Sequence, residues 1–208
     1  GNPFTGVSPS FLQRSFSAGL YFPLEEIFRS NVVSSHAIAG MLVGLVGGVF
    51  TTPFNTVKYA MWSQKPDNLK SCGLISTATS LTRSGGLPRL MRGVLPTLYR
   101  DMTFGVTFSV LRHQGDNGFV INAGAAFVAT AISSPLNYAR MKVYGHPTVV
   151  SSVFHILRDW RNEVMTMNSW SDKLKFAASS LNVGWGALRV GLGMGMGSQI
   201  YLACSRIC

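Results

Sequence analysis

The chain has 208 residues, of which 47% are hydrophobic and only 12% are charged, and its mean hydropathy is +0.24. Soluble domains carry about 25% charged residues, so this composition favours membrane helices around a partly polar interior. The excess of 18 Lys and Arg over 8 Asp and Glu suits membrane topology, because the basic residues form no nucleic-acid-binding motif. We therefore expect no nucleic-acid partner.

Stretches without formal charge, His36 aside, are the candidate membrane spans. There are five, and in chain order they are Ser15–Leu24, Asn31–Val57, Met102–Leu111, Asn117–Ala139 and Val190–Ser205. The second and the fourth are long enough to cross about 30 Å of hydrocarbon as helices. The other three begin close to an arginine and become spans only if their polar residues face the interior of a bundle.

The long connections between these stretches are basic. Residues 58–100 carry seven basic residues against Asp67, and residues 140–189 carry seven against three acids. The short connections are near neutral, so the long loops are predicted to share the positive side of the membrane, together with the N-terminus. Short amphipathic helices are predicted in these loops near Leu74–Thr82 and Val149–Arg161.

Two motifs recur in the same order along the chain. Residues 51–58 read TTPFNTVK and residues 133–140 read SSPLNYAR, each with two hydroxyls, a proline, an asparagine and a final cation. Residues 6–10 read GVSPS and residues 93–97 read GVLPT, each followed by an arginine. A long helix, a loop and a short helix therefore form a repeated unit.

These motifs resemble those of the mitochondrial carrier family, as does the connecting segment GGLPRLMRG at residues 85–93. The resemblance implies an all-α membrane protein, a carrier-type bundle of repeated two-helix units with five transmembrane helices here. It implies one domain over residues 1–208, with 1–30 as the remnant of the first repeat, 31–115 as the second and 116–208 as the third. It also implies the mitochondrial inner membrane.

The gate motifs depart from the family pattern. In the family, acids and cations of the proline motif close the matrix side as ion pairs, whereas here both acids are amides. The degenerate motif residues are Pro53, Asn55, Lys58, Pro135, Asn137 and Arg140. The opposite gate has Ser109 in place of its acid, and the first even helix shows only Phe22-Pro23. Because an amide cannot neutralise a cation, this pattern argues against a normal transport cycle.

Three functions remain compatible with this pattern. We expect a non-transporting accessory subunit of a large inner-membrane complex, such as the respiratory chain or ATP synthase, with other subunits as its partners. The alternative is an active, divergent carrier for an anionic metabolite, and a third possibility is an outer-membrane relative that inserts proteins or shapes the membrane. We expect no enzyme, because no nucleophile–base pair occurs at a usable spacing.

Two binding sites follow from the resemblance. The arginines Arg14, Arg100 and Arg189 are candidate contacts for an anion or substrate. Gly73, Arg92 and Gly93 match positions where the family holds the lipid cardiolipin at helix N-termini. The scattered histidines and the three cysteines, Cys72, Cys204 and Cys208, show no metal-ligand spacing, so neither a metal nor a cofactor other than cardiolipin is expected.

Glycine stripes predict close helix contacts. Gly40, Gly44 and Gly48 are spaced by one helical turn, and residues 191–197 alternate glycine with larger residues. The family's first odd helix has no counterpart in this sequence, either because the sequence begins after it or because the bundle itself lacks it; the second case leaves one flank of the bundle uncovered. We therefore expect an open flank between the Ser15–Leu24 and Val190–Ser205 spans, covered by another subunit or by lipid.

Overall fold

The computed structural model describes residues 7–63, 74–115, 118–145, 152–181 and 184–205, and within these ranges it describes side chains from residue 17 onward, except those of Ala18, Trp62, Ser63, Leu74 and Trp185. Within these ranges the chain is helical, which confirms the predicted all-α class. The helices are α1 Val7–Asn31, α2 His36–Ser63, α3 Leu74–Leu90, α4 Val94–Arg112, α5 Phe119–Gly145, α6 Val153–Thr166, α7 Trp170–Leu181 and α8 Trp185–Ser205.

The five long helices pack in chain order. α1 lies against α2, α2 against α4, α4 against α5, and α5 against α8, and α8 returns to contact α1. Aromatic and small residues fill the space between them, and the buried cluster comprises Tyr21, Phe22, Val43, Phe104, Phe108, Ala125, Ala126, Ala129 and Met194. Burial of this cluster orders the bundle around a common centre.

Glycines bring α2 and α4 into backbone contact, as the stripe predicted. A methyl group built on Gly40 would collide with the carbonyl oxygen of Gly105, and one built on Gly44 would collide with the carbonyl of Asp101. Gly48 faces Leu98 one turn further along. Because no side chain separates the two backbones, the helices approach more closely than larger residues would allow.

The second glycine stripe packs only in part as expected. Gly191 faces the carbonyl oxygen of Ala123 and Gly195 faces the ring of Phe119, so both lie against α5. Within the described part of the chain, no atom lies within 4 Å of the position that a methyl group on Gly193 would occupy. The expectation that the whole stripe is a packing face is therefore wrong at Gly193, because alternate residues point to opposite sides of the helix.

Two helical stretches in the described part of the chain are long and apolar enough to cross a membrane, His36–Met61 and Phe119–Gly145. They correspond to the two long uncharged stretches of the sequence. α1, α4 and α8 contain 25, 19 and 21 residues, which at 1.5 Å per residue also reaches about 30 Å. Their spanning stays a prediction, because their composition is less apolar.

Several helix boundaries differ from the predicted ones. α1 continues through Pro23 to Asn31, whereas the sequence placed Glu25 in a connection. The amphipathic helices near Leu74–Thr82 and Val149–Arg161 are present as α3 and α6, although residues 146–151 lie outside the described ranges. α7 was not predicted, because the sequence placed it in the long connection over residues 140–189.

The flank between α1 and α8 is closed at one end. The ring of Phe22 stacks on that of Tyr201 with centroids 5.8 Å apart, and the Tyr201 hydroxyl donates to the Glu26 carboxylate. The expected opening along this flank is therefore wrong at this end, where aromatic contact joins the two helices directly.

Candidate functional site

A small cavity lies between α1, α2 and α4, with one residue from α8. Its volume is about 90 Å³, and most of its lining is aromatic, aliphatic or glycine. Tyr21, Val43, Gly44 and Phe104 form its walls, and the hydroxyl-bearing residue Thr51 lies at its edge. Apolar walls with a few polar groups are typical of sites for small solutes.

Two neighbouring residues of α4 bring opposite charges into this cavity. Nη1 of Arg100 lies 2.5 Å from Oδ1 of Asp101, and both side chains are largely buried, with 20% and 14% of their surface exposed. The guanidinium also lies 5.3 Å from the centre of the Phe104 ring. The cavity therefore offers a cation and an anion side by side, held by a charge-assisted hydrogen bond.

The three predicted arginines do not converge. Arg100 lines the cavity, but Arg189 is exposed in the first turn of α8 and is absent from the described lining. Arg14 lies in α1, and its side chain is outside the described part. Sequence reasoning also missed Asp101, although its place directly after Arg100 was a visible signal.

The two proline motifs share one local structure. Thr52 donates its hydroxyl to the Gly48 carbonyl at 2.6 Å, and Ser134 donates to the Thr130 carbonyl at 2.7 Å. Pro53 and Pro135 follow these residues inside α2 and α5. A buried hydroxyl needs an acceptor, and the carbonyl four residues earlier is the nearest one. The second hydroxyl of each motif therefore makes the same hydrogen bond, to the carbonyl four residues earlier in its helix.

The asparagines of these motifs differ in their surroundings. Asn137 accepts a hydrogen bond from Nη2 of Arg140 at 2.7 Å. Asn55 is fully buried, and neither its amide nitrogen nor its amide oxygen has a hydrogen-bond partner. Lys58 lies 5.4 Å from the centre of the Tyr59 ring. Among their described contacts, Lys58 of α2 therefore lies next to an aromatic ring, and Arg140 of α5 donates a hydrogen bond to an amide.

A buried polar cluster at the opposite end of the bundle was not predicted. Glu25 of α1 accepts a hydrogen bond from Nη1 of Arg112 of α4 at 2.7 Å, and the Ser109 hydroxyl donates to its other oxygen. Nε2 of His113 lies 3.2 Å from that oxygen. The carboxylate exposes only 4% of its surface and the guanidinium 10%. An acid therefore does pair with Arg112 of α4, although it comes from α1.

Aromatic and imidazole rings lie next to this ion pair. The Arg112 guanidinium lies 4.8 Å from the centre of the Phe22 ring, and the His113 ring stacks on that of His36 at 4.0 Å. Burial lowers the pKa of the His113 imidazole, and the nearby Glu25 carboxylate partly opposes this effect. The sequence showed Ser109 in the expected acidic position, but it could not show that the acid comes from another helix.

The predicted lipid site is only partly described. Gly93 precedes α4 with φ at 76°, a backbone conformation that favours glycine. A methyl group on Gly93 would meet the Tyr144 ring. Arg92 precedes it, and Gly73 lies outside the described residues. Gly93 is thus required for the turn and for packing on α5, and lipid binding stays a prediction.

Comparison with known proteins identifies a family and individual proteins whose sequences this chain resembles. Residues 30–114 match the family model described as "Mitochondrial carrier protein". The chain is 23% identical over 175 residues to "Mitochondrial glycine transporter A" of Danio rerio, covering 74% of this chain and 60% of that protein. It is 23% identical over 174 residues to "Putative mitochondrial transporter UCP3" of Sus scrofa, covering 70% of this chain and 56% of that protein. The chain therefore spans less than two thirds of the length of these relatives.

Proposed function

Because the chain belongs to the mitochondrial carrier family, we propose that it is a solute carrier of the mitochondrial inner membrane. The family and the relatives indicate a mitochondrial membrane, and the relatives bear the names of transporters rather than enzymes. Neither relative is named as a subunit of a respiratory or ATP-synthase complex. Transport is therefore the better-supported of the two main functions that the sequence left open.

The ion pair of Glu25 and Arg112 supports this choice. The accessory-subunit interpretation depended on the loss of gate carboxylates, and it overlooked this acid. The pair joins α1 to α4, is almost fully buried and also involves Ser109. Alternating access needs contacts that close one end and can be broken when the solute binds. Such a contact is in place at this end of the bundle.

The cavity carries the proposal on substrate class. Its described charged lining residues are Arg100 and Asp101, which neutralise each other. A simple anion would meet the Asp101 carboxylate as well as the guanidinium. A small zwitterion offers its ammonium group to the Asp101 carboxylate and its carboxylate to a nearby arginine, so neither of its charges is left facing a like charge. We favour a small amino acid over the anionic metabolite, in line with the name of the glycine transporter relative.

Exchange in liposomes tests this proposal. Purified protein is reconstituted with internal glycine or alanine, and uptake of the labelled amino acid is compared with uptake of phosphate and malate. We expect saturable amino-acid exchange that Asp101→Asn reduces at least tenfold, since a neutral amide cannot replace the carboxylate opposite an ammonium group. Asp159→Asn, an exposed acid on α6, is the matched control and should exchange normally.

Two outcomes contradict the proposal in different ways. Saturable exchange of phosphate or malate alone would keep the carrier function and replace the substrate class. No exchange of any solute, together with migration in mild detergent in a particle far larger than 22.5 kDa, would favour the accessory subunit and its partner proteins.

A further inference from the structure

We propose that Arg140 of α5 and Asn55 of α2 form a binding site for an oxyanion, a carboxylate or a phosphate group, beyond the Thr51 and Arg100 edge of the cavity. This inference deepens the proposed function, because it rests on that function in identifying the solute's own carboxylate as one source of the oxyanion.

Helix periodicity brings the two residues together. Tyr59 of α2 and Tyr144 of α5 stack with centroids 4.7 Å apart and planes 6° from parallel. Asn55 precedes Tyr59 by four residues and Arg140 precedes Tyr144 by four, so each lies one turn along the same face of its helix. Arg140 is also close enough to Tyr59 to interact with it electrostatically. Asn55 and Arg140 therefore occupy facing positions on the two helices.

Among the described residues, the charge around Arg140 does not balance. Its side chain is buried, with 8% of the residue exposed, and its hydrogen-bonded partner is the neutral amide of Asn137. Asp101 interacts with Arg140 electrostatically, but it forms its ion pair with Arg100. Of the described side chains named here, two guanidiniums thus share one carboxylate. A buried cation is costly without a counter-charge, and a bound oxyanion would supply it.

Unused donors point to the same position. Nδ2 of Asn55 and Nε of Arg140 are both buried and make no hydrogen bond within the described residues. Asn55 has no exposed surface at all, so this amide cannot turn to water without the helices separating. A buried donor without an acceptor is unfavourable. A carboxylate or phosphate oxygen would satisfy both nitrogens at once.

The lining of the cavity comes within one helical turn of this site. Thr51, at the edge of the cavity, precedes Asn55 by four residues and lies one turn away on α2. A small amino acid could place its ammonium group at Asp101 and its carboxylate toward Arg140. The positive charge of Arg140, which the neutral amides of Asn137 and Asn55 do not balance, would then bind the carboxylate of the solute. This charge would be neutralised only while the solute is bound.

Thermal unfolding of the purified full chain in detergent tests the site without requiring transport. The probes are sodium acetate and inorganic phosphate from 1 to 100 mM, with sodium chloride making up constant ionic strength. We expect the parent protein to gain several degrees in its unfolding temperature with either oxyanion. Asn55→Asp, which supplies a covalent carboxylate, should raise the unfolding temperature at low oxyanion concentration and abolish the further gain.

A second variant and a control keep the result interpretable if one variant fails to accumulate. Arg140→Gln removes the cation, and it should abolish the gain even if Asn55→Asp fails to accumulate. Asn31→Asp makes the same chemical change at an exposed position on α1, and it should retain the full gain. The proposal is overturned if acetate and phosphate stabilise the parent no more than chloride does and the parent carries no more lipid phosphate than Arg140→Gln, or if Arg140→Gln gains as much as the parent.

Separate measurements identify the source of the oxyanion and distinguish the two proposals. Phosphorus analysis after solvent extraction would reveal about one bound lipid phosphate per chain in the parent and less in Arg140→Gln if lipid occupies the site. A larger gain in unfolding temperature with acetate or glycine than with phosphate would instead indicate a solute carboxylate. If the variants lose the oxyanion effect while liposomes show no exchange, the site stands and the transport function fails; the reverse result rejects the site alone.

Discussion

Glu25 and Arg112 are separated by 87 residues in the chain, yet their side chains form an ion pair of 2.7 Å with almost no exposure to solvent. The pair joins the C-terminal ends of α1 and α4, and the neighbouring contact of Tyr201 with Glu26 adds α8 to the same end. Three helices of the bundle are therefore tied together by one polar cluster. This cluster determines how firmly that end is closed.

Replacing Glu25 with Gln should destabilise the protein strongly. The substitution keeps the size of the side chain but leaves the Arg112 guanidinium buried without a counter-charge, which costs about 3–5 kcal/mol in buried pairs. We expect a clear fall in the unfolding temperature of the purified protein in detergent, measured by the fluorescence of a thiol-reactive dye or of tryptophan.

The control for this variant is Glu163→Gln, an exposed acid on α6, which should unfold at the parental temperature. A double variant, Glu25→Leu with Arg112→Met, should recover much of the loss because it removes both buried charges. If Glu25→Gln unfolds within a degree of the parent, the ion pair contributes little and the closed end depends on aromatic packing instead.

The sequence predicted the elements that depend on local patterns. The uncharged stretches identified α2 and α5, and the repeated TTPFN and SSPLN motifs have the same hydroxyl-to-carbonyl bonds at Thr52 and Ser134. Gly40 and Gly44 were predicted to pack closely, and they do. These features follow from helical spacing alone, which a sequence displays directly.

Contacts between distant helices could not be predicted in the same way. Glu25 followed an uncharged stretch, so the sequence placed it in a connection, and only its side-chain contacts with Arg112 and Ser109 of α4 show that it is buried. The direction of each glycine in residues 191–197 also depends on where α5 lies. Burial and pairing of charges require knowledge of which helix faces which, and one sequence contains no direct record of that.

Gly40→Ala should destabilise the packing of α2 on α4. The new methyl group would collide with the Gly105 carbonyl, which belongs to a helix backbone and cannot move alone. Overpacking of this kind costs about 1–3 kcal/mol. Gly47→Ala on the same helix is the matched control, since no atom lies within 4 Å of its added carbon. Equal unfolding temperatures for the two variants would contradict the close contact of the backbones.

Gly191→Leu and Gly193→Leu should differ sharply. The leucine at position 191 would enter the backbone of α5 at Ala123, whereas the one at 193 would project into open space. We expect only the first to lower the unfolding temperature of the isolated chain. If Gly193→Leu prevents accumulation in mitochondria but leaves the purified chain as stable as the parent, another protein covers this face, as the accessory-subunit interpretation requires.

The orientation of the chain gives the last prediction. Ser80 lies exposed on α3 in the basic loop segment, and Ser34 lies exposed in the short connection between α1 and α2, at the other end of α2. The excess of positive charge in the long loops predicts that α3 faces the matrix.

To test this orientation, each of the two serines is changed to cysteine in a background in which Cys72, Cys204 and Cys208 are serine. A membrane-impermeant maleimide added to intact mitoplasts should then label Ser34→Cys and spare Ser80→Cys. Both should react after detergent is added, which controls for accessibility. Labelling of Ser80→Cys alone in intact mitoplasts would show that the chain is inserted in the opposite direction. Labelling of either cysteine in intact mitochondria by a reagent too large for the outer-membrane pores would place the protein in the outer membrane.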